Sequence, residues 1–342
     1  MKSMKRWGWL AALALTWLGV QALQAEEDFK LAMPLGLDKD VFQAPADNPI
    51  TPEKIKLGRL LYFDTRLSVD HTVSCATCHN PAKGFTDQLP VSSGVNHLTG
   101  TRNAPTVLNS AFNYFQFWDG RAGSLEEQAV GPMANPVEMA HTLDGATAAI
   151  AQVKGYGPYF KAAFGDETVT IDRIAKAIAT YERTILSGNS AWDRHVYLND
   201  EAALNDSAKR GLVLFEGKAL CTRCHVGFNL TDGQFHNIGV GMAKSDPDKG
   251  RYEVTKQEKD MGAFKTPMLR DLQRTAPYMH DGSMAALEEV VDHYDKGGAP
   301  GPWLDSKMEA LHLTNEEKQD LLAFLRSLEG DWRYDAPADL PS

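Results

Sequence analysis

Cys75-Ala76-Thr77-Cys78-His79 and Cys221-Thr222-Arg223-Cys224-His225 are the two stretches that decide how this chain must fold. Each sets two thiols three residues apart and follows the second at once with an imidazole. This is the attachment pattern of a c-type haem. The thiols add to the two vinyl groups of one haem, a helical turn sets their separation, and the histidine reaches the iron as proximal ligand. A four-thiolate zinc site is the main competing use of two Cys-x-x-Cys pairs, but it leaves His79 and His225 unexplained. The chain has four cysteines in all, so the two motifs use every one and leave none for a disulfide.

Outward from the motifs, a weak repeat appears. Lys56-Leu57-Gly58-Arg59-Leu60-Leu61-Tyr62 precedes the first and Lys209-Arg210-Gly211-Leu212-Val213-Leu214-Phe215 the second. Each reads as an amphipathic helix running into a haem-binding turn. Thr51 as N-cap and Pro52 at the first helical position start the first helix. Asn205, Asp206 or Ser207 can start the second. Apolar residues at helical spacing mark Ile171 to Leu186. Thr314 and Glu317 form a capping box ahead of Leu321, Leu322, Phe324, Leu325 and Leu328. Strand signals are few. Gly84–Thr101 reads as a haem-covering loop and Gly239–Gly262 as a charged, mobile one. The expected fold is mainly α, with two cytochrome c-like haem domains and few short strands. The boundary falls near Ser187–Arg194. This gives an N-terminal haem domain over 26–190, a C-terminal one over 191–330, and a tail, 331–342, that packs back on the first.

The first 25 residues have the layout of a secretory signal peptide. Lys2, Lys5 and Arg6 precede an uncharged apolar run from Trp9 to Val20, and Ala25 offers a small residue for cleavage. A membrane anchor is the competing reading, but the run is short of the roughly 20 residues a bilayer span needs. The expected protein is exported, in a bacterial periplasm. Its net charge of −10 excludes nucleic acid as a natural partner and suits a basic redox protein.

Further segments are more specific than generic cytochrome sequence. They are Arg102-Asn103-Ala104-Pro105-Thr106-Val107-Leu108-Asn109, then Gln116-Phe117-Trp118-Asp119-Gly120-Arg121-Ala122, then Phe264-Lys265-Thr266-Pro267 through Pro277-Tyr278-Met279-His280-Asp281-Gly282. With the two haem motifs, they make the chain resemble the bacterial dihaem cytochrome c peroxidase family, which includes the MauG-like enzymes. The resemblance covers nearly the whole mature chain. It implies that the N-terminal haem reacts with peroxide and the C-terminal haem transfers electrons. Trp118 matches the tryptophan between the haems. Gln128, Pro132 and Glu138 match distal residues over the peroxide-binding iron, and Phe117 an aromatic near them. Asn103, Thr275 and Pro277 match the ligands of a calcium ion. It also implies a homodimer. The residue types suit these roles: a carboxylate within reach can move the proton that O–O cleavage requires, and calcium takes oxygen ligands. Read alone, Glu138 would be a solvated acid before Met139 and Trp118 a core residue.

Two positions depart from the commoner family pattern. A histidine that covers the N-terminal haem at rest would fall at Val95, and the nearest histidine is His97. A loop shift could bring His97 to iron; otherwise it is a surface residue and that haem is already open. The methionine that many members place on the C-terminal iron falls at Tyr294, on one helical face with Leu287, Val290 and Val291. Tyrosine is what the MauG-like subgroup presents, whereas a buried tyrosine with a satisfied hydroxyl is the plain alternative. Met279 and Met284 sit at other family positions. Tyrosinate, hard and anionic, favours ferric and higher-valent iron where methionine favours ferrous iron. The expected function is therefore a peroxide-using dihaem oxidoreductase. Its reductant is a small donor, a c-type cytochrome or copper protein, or else an oxidisable partner protein. A non-enzymatic dihaem electron carrier is the reading from another class.

Overall fold

Both repeats become helices, and both cross a partner helix at a glycine. In the computed structural model, residues 29–42 and 44–342 are described; the expected signal peptide lies outside them. The first part of the chain forms α1 (Pro52–Tyr62), α2 (Cys75–Cys78), α3 (Leu125–Ala134), α4 (Leu143–Ala151), α5 (Gly157–Phe164) and α6 (Ile171–Glu182). The second forms α7 (Ala191–Leu198), α8 (Asp206–Glu216), β1 (Phe235–His236), α9 (Tyr252–Thr255), β2 (Phe264–Lys265), α10 (Leu287–Asp295) and α11 (Asn315–Arg326). The fold is mainly α. The strands β1 and β2 pair antiparallel, with Phe235 opposite Lys265.

A Cβ at Gly58 would lie 1.8 Å from the carbonyl oxygen of Ala177 in α6, and one at Gly211 would lie 1.9 Å from that of Asp320 in α11. Only glycine permits either crossing. Beside each glycine an aromatic pair fills the joint: Tyr62 meets Tyr181 at 5.2 Å between ring centres, and Phe215 meets Phe324 at 5.0 Å. The sequence repeat is thus a repeat of packing. Thr51 caps α1, Asn205 caps α8, and Thr314 with Glu317 forms the capping box of α11.

One core gathers Leu57, Leu61, Phe160, Ile174 and Ile178, the other Phe215, Leu287, Leu321 and Phe324. Both belong to one compact unit, Leu31–Ser342. From the tail, Trp332 and Leu340 pack on the first core, and Asp335 pairs with Arg59 at 2.6 Å. Near the expected boundary, Ser190 caps α7 and buried Asp193 takes two bonds from buried Arg270, at 2.7 and 2.8 Å. That stretch is a packed junction. The Gly239–Gly262 segment is also tied down, contrary to the mobile loop expected. Asp248 accepts two bonds from Arg102, and Arg251 donates to the carbonyls of Asp119 and Gly120. Among the described residues no helix is long and apolar enough to cross a membrane.

Candidate active site

Each haem motif sits where a helix ends. At the first, the Tyr62 hydroxyl, at the last residue of α1, donates to the carbonyl of His79 at 2.8 Å. The His79 Nδ1 faces the Phe85 carbonyl at 3.4 Å, which leaves Nε2 for iron. At the second, the His225 Nδ1 faces the Leu230 carbonyl at 2.9 Å. Burial lowers the pKa of both histidines and favours the neutral imidazole a metal requires. Burial also pushes the Cys78 thiol up to about 11 and the Cys221 thiol up to about 12.

A cavity of about 280 Å³ opens at the second motif. Cys221, Cys224 and His225 line it on one side, and α10 brings Tyr294 to it. Among the described residues nothing hydrogen-bonds to the Tyr294 hydroxyl, and burial raises its pKa. Its hydroxyl is therefore available to a group bound in the cavity. His293, next to it on the helix, is turned away with Nε2 on the Ile238 carbonyl at 2.9 Å. Met279 also lines the cavity, whereas Met284 lies on a shallow depression elsewhere. Two thiols, an oriented imidazole and a largely apolar cavity fit a covalently held haem.

The residues expected over the first haem lie on and around α3. Gln128, Gly131, Pro132 and the C-cap Asn135 share one face of this helix. Pro132 has no N–H to continue the hydrogen-bond ladder, and α3 stops two residues later. A Cβ at Gly131 would come 3.2 Å from the Phe117 ring. The Arg121 guanidinium lies over that ring, 3.5 Å from its centre, and pairs with Asp119. Asn135 donates its amide to Glu138 Oε1 at 2.6 Å, while its own Oδ1 accepts the Val137 N–H. Burial raises the Glu138 pKa against the opposing pull of Arg121 and Asn135. The Glu138 carbonyl accepts the N–H of Val95, which is buried, whereas His97 is exposed.

Trp118 joins the two regions. It follows Phe117 directly, lines the second cavity, and donates Nε1–H to the Asn103 carbonyl at 2.9 Å. Asn103 gives its amide to the Leu89 carbonyl. The Asn103 Oδ1 and the carbonyls of Thr275 and Pro277 accept no hydrogen bond from any described residue, and all three residues line the same cavity.

Other residues were not legible as site residues in sequence. Asn135 and Arg121 act through a turn and a stacked ring, which spacing alone does not reveal. His236 is held from both sides, with Nδ1 2.6 Å from Asp305 and Nε2 2.9 Å from Asp232. Contact with the Cys224 sulfur, then these carboxylates, raises its pKa to about 9. The Cys224, Asp232 and His236 group is the only metal-competent cluster among the described residues. Both imidazole nitrogens there are engaged by carboxylates. The four thiols do not converge, which disposes of a four-thiolate zinc site.

The model of the di-haem cytochrome c peroxidase family matches residues 52–202. The methylamine utilization protein MauG of Methylorubrum extorquens is 44% identical over 288 residues, covering 84% of this chain and 81% of that one. A cytochrome c551 peroxidase of Nitrosomonas europaea is 40% identical over 291 residues, 82% of each chain. Among solved structures, a MauG-like protein associated with microbial copper homeostasis superposes with a TM-score of 0.81 at 34% identity, over 89% of this chain and 96% of that one. The diheme peroxidase BthA of Burkholderia thailandensis shares the fold, with a TM-score of 0.72 at 22% identity over 83% of this chain and 87% of that one.

Proposed function

Since this chain belongs to the di-haem cytochrome c peroxidase family, and is a peroxidase carrying two haems c, we propose that it reduces hydrogen peroxide at the N-terminal haem in a bacterial periplasm. The overall reaction takes one peroxide, two protons and two electrons to two waters. The haems, when bound, supply the redox chemistry. The chain's own residues supply the proton handling, the pocket and the route for charge.

One observation carries this reading. Glu138 is a half-buried carboxyl near Cys78 of the first haem motif, held by Asn135 at Oε1 and with no described partner at Oε2. Its free oxygen can take a proton from peroxide and return it to the departing oxygen. Gln128, Pro132 and Phe117 would line the peroxide side of a haem bound there. Val95 stands where a covering histidine would be, so this position would offer no ligand to the distal side of a haem bound there. Trp118, between the Phe117 wall and the second cavity, is the route by which oxidising equivalents are shared with a haem held by His225 and Tyr294. Asn103 Oδ1 and the carbonyls of Thr275 and Pro277 are the oxygen donors of a calcium ion. The electrons come from a small redox protein.

A second reading has its own support. Tyr294 at the second cavity favours ferric and higher-valent iron, which suits long-range oxidation of a partner protein over uptake of electrons from a cytochrome. Steady-state assays with peroxide and reduced cytochrome c separate the two. Fast turnover, lost in Glu138→Gln, supports the first reading. Negligible turnover with rapid spectral change on adding peroxide supports the second. No spectral change at all would leave only an electron carrier.

A further inference from the structure

Lys265 stands out among the charges that line the second cavity. The other lysine and arginine side chains there are paired. Arg223 meets Glu309 at 2.7 Å, Arg270 meets Asp193 at 2.7 Å, and Lys307 donates to the Arg223 carbonyl at 3.0 Å and lies 3.8 Å from Asp232. His236 is held by Asp232 and Asp305, and His280 stacks on Phe264 at 3.6 Å. Lys265 alone among these described residues has neither a carboxylate nor a carbonyl on its ammonium, although it lines the cavity from β2. Its backbone is fixed, with the N–H on the Trp118 carbonyl at 2.8 Å. Burial, with no opposing partner, brings its pKa down to about 8.

A cationic side chain that lines a largely apolar cavity with no counter-charge among the described residues calls for an anion there. The cavity walls offer none that is free. A haem c keeps two propionate carboxylates after its vinyl groups have reacted with cysteine. We infer that Lys265 is the counter-ion of a propionate of the C-terminal haem, fixing that edge of the macrocycle on the Trp118 side of the cavity. Lys265 is a positioning residue: it acts on the potential and seating of this haem without touching peroxide. The inference requires the haem of the second motif and does not depend on which partner delivers electrons.

The test uses the holoprotein with haem carrying ¹³C at the propionate carboxyls, in Lys265→Met and Lys265→Gln, with Lys265→Arg keeping the charge. Redox titration from about pH 5 to 9 reads the midpoint potential of the C-terminal haem. Infrared difference spectra read the carboxyl groups. In Met and Gln the unpaired propionate lowers the potential at high pH. As pH falls it takes up a proton, the potential climbs back toward wild type, and a ¹³C-sensitive protonated-carboxyl band appears. Arg should show neither change. A Met and a Gln variant that track the wild-type potential throughout, without the band, would overturn the assignment. A lowered potential that never yields a labelled band would overturn the propionate contact as well, leaving only a distant charge.

Discussion

The side-chain amide of Asn135 sits 2.6 Å from Glu138 Oε1, and it can face only that way. Its own oxygen already accepts the Val137 N–H at 3.1 Å, so Nδ2 is the atom left for the carboxylate. In the proposed mechanism Oε2 is therefore the oxygen that exchanges protons. Asn135→Asp keeps the turn and swaps the donor for a second carboxylate. Like charge raises the already elevated Glu138 pKa. Glu138 must be ionised to accept a proton, so the rate is lost as pH falls through its pKa, and in the variant that loss moves to higher pH. At neutral pH we expect roughly a tenfold slower reaction with peroxide, from the loss of a charge-assisted hydrogen bond. Glu138→Gln should lose about 10²-fold or more. Stopped-flow pH profiles decide, and an Asp variant with the wild-type profile removes Asn135 from the proton route.

This pair also shows what the sequence could and could not say. The haem motifs, the capping box at Thr314 and the helix presenting Tyr294 are local patterns, and each lies where spacing put it. Glu138 was a solvated acid on residues alone, because its burial depends on Val95 and Arg121, set by chain segments well before it. The segment holding Asp248 read as mobile for the same reason. Its anchor, Arg102, is 146 residues away. Charge partners across that distance leave no periodicity to read.

Tyr294 tests the asymmetry of the two haems. Its hydroxyl faces the cavity of His225 with no described partner, and His293 is tied to the Ile238 carbonyl. Tyr294→Met should raise the midpoint potential of the C-terminal haem and change its low-spin signature in electron paramagnetic resonance. The softer, neutral ligand favours ferrous iron. Unchanged potential and spectrum would remove Tyr294 as the ligand.

The proposal that the N-terminal haem has an open distal face rests on Val95 and His97. Val95 is 1% exposed and bonded through its N–H to the Glu138 carbonyl at 2.8 Å. His97 points into solvent two residues on. His97→Ala should leave the resting oxidised spectrum and the peroxide rate as they are, within about a factor of two. A wild-type spectrum with two fully low-spin haems, converted by this variant to one high-spin haem, would show that His97 covers the iron.

Glu182 offers a prediction on stability. It is 4% exposed, its Oε2 has no partner, and its neighbour Arg183 is committed to Glu126 through two bonds of 2.8 Å. Burial pushes its pKa up to about 8, from an ordinary value of 4.5. The folded state thus holds a proton that the unfolded chain releases. Its contribution is fully present below the ordinary glutamate pKa, falls as pH rises, and is lost by about pH 8. At pH 7 the deficit is about 3 kcal/mol, taking 1.36 kcal/mol per pKa unit. Glu182→Gln keeps the size and removes the proton linkage. Its melting temperature should match wild type near pH 4.5 and exceed it increasingly toward pH 8. Calorimetric melts of both holoproteins across that range measure the gap, and parallel curves would show that Glu182 has a proton-sharing partner when the protein is folded.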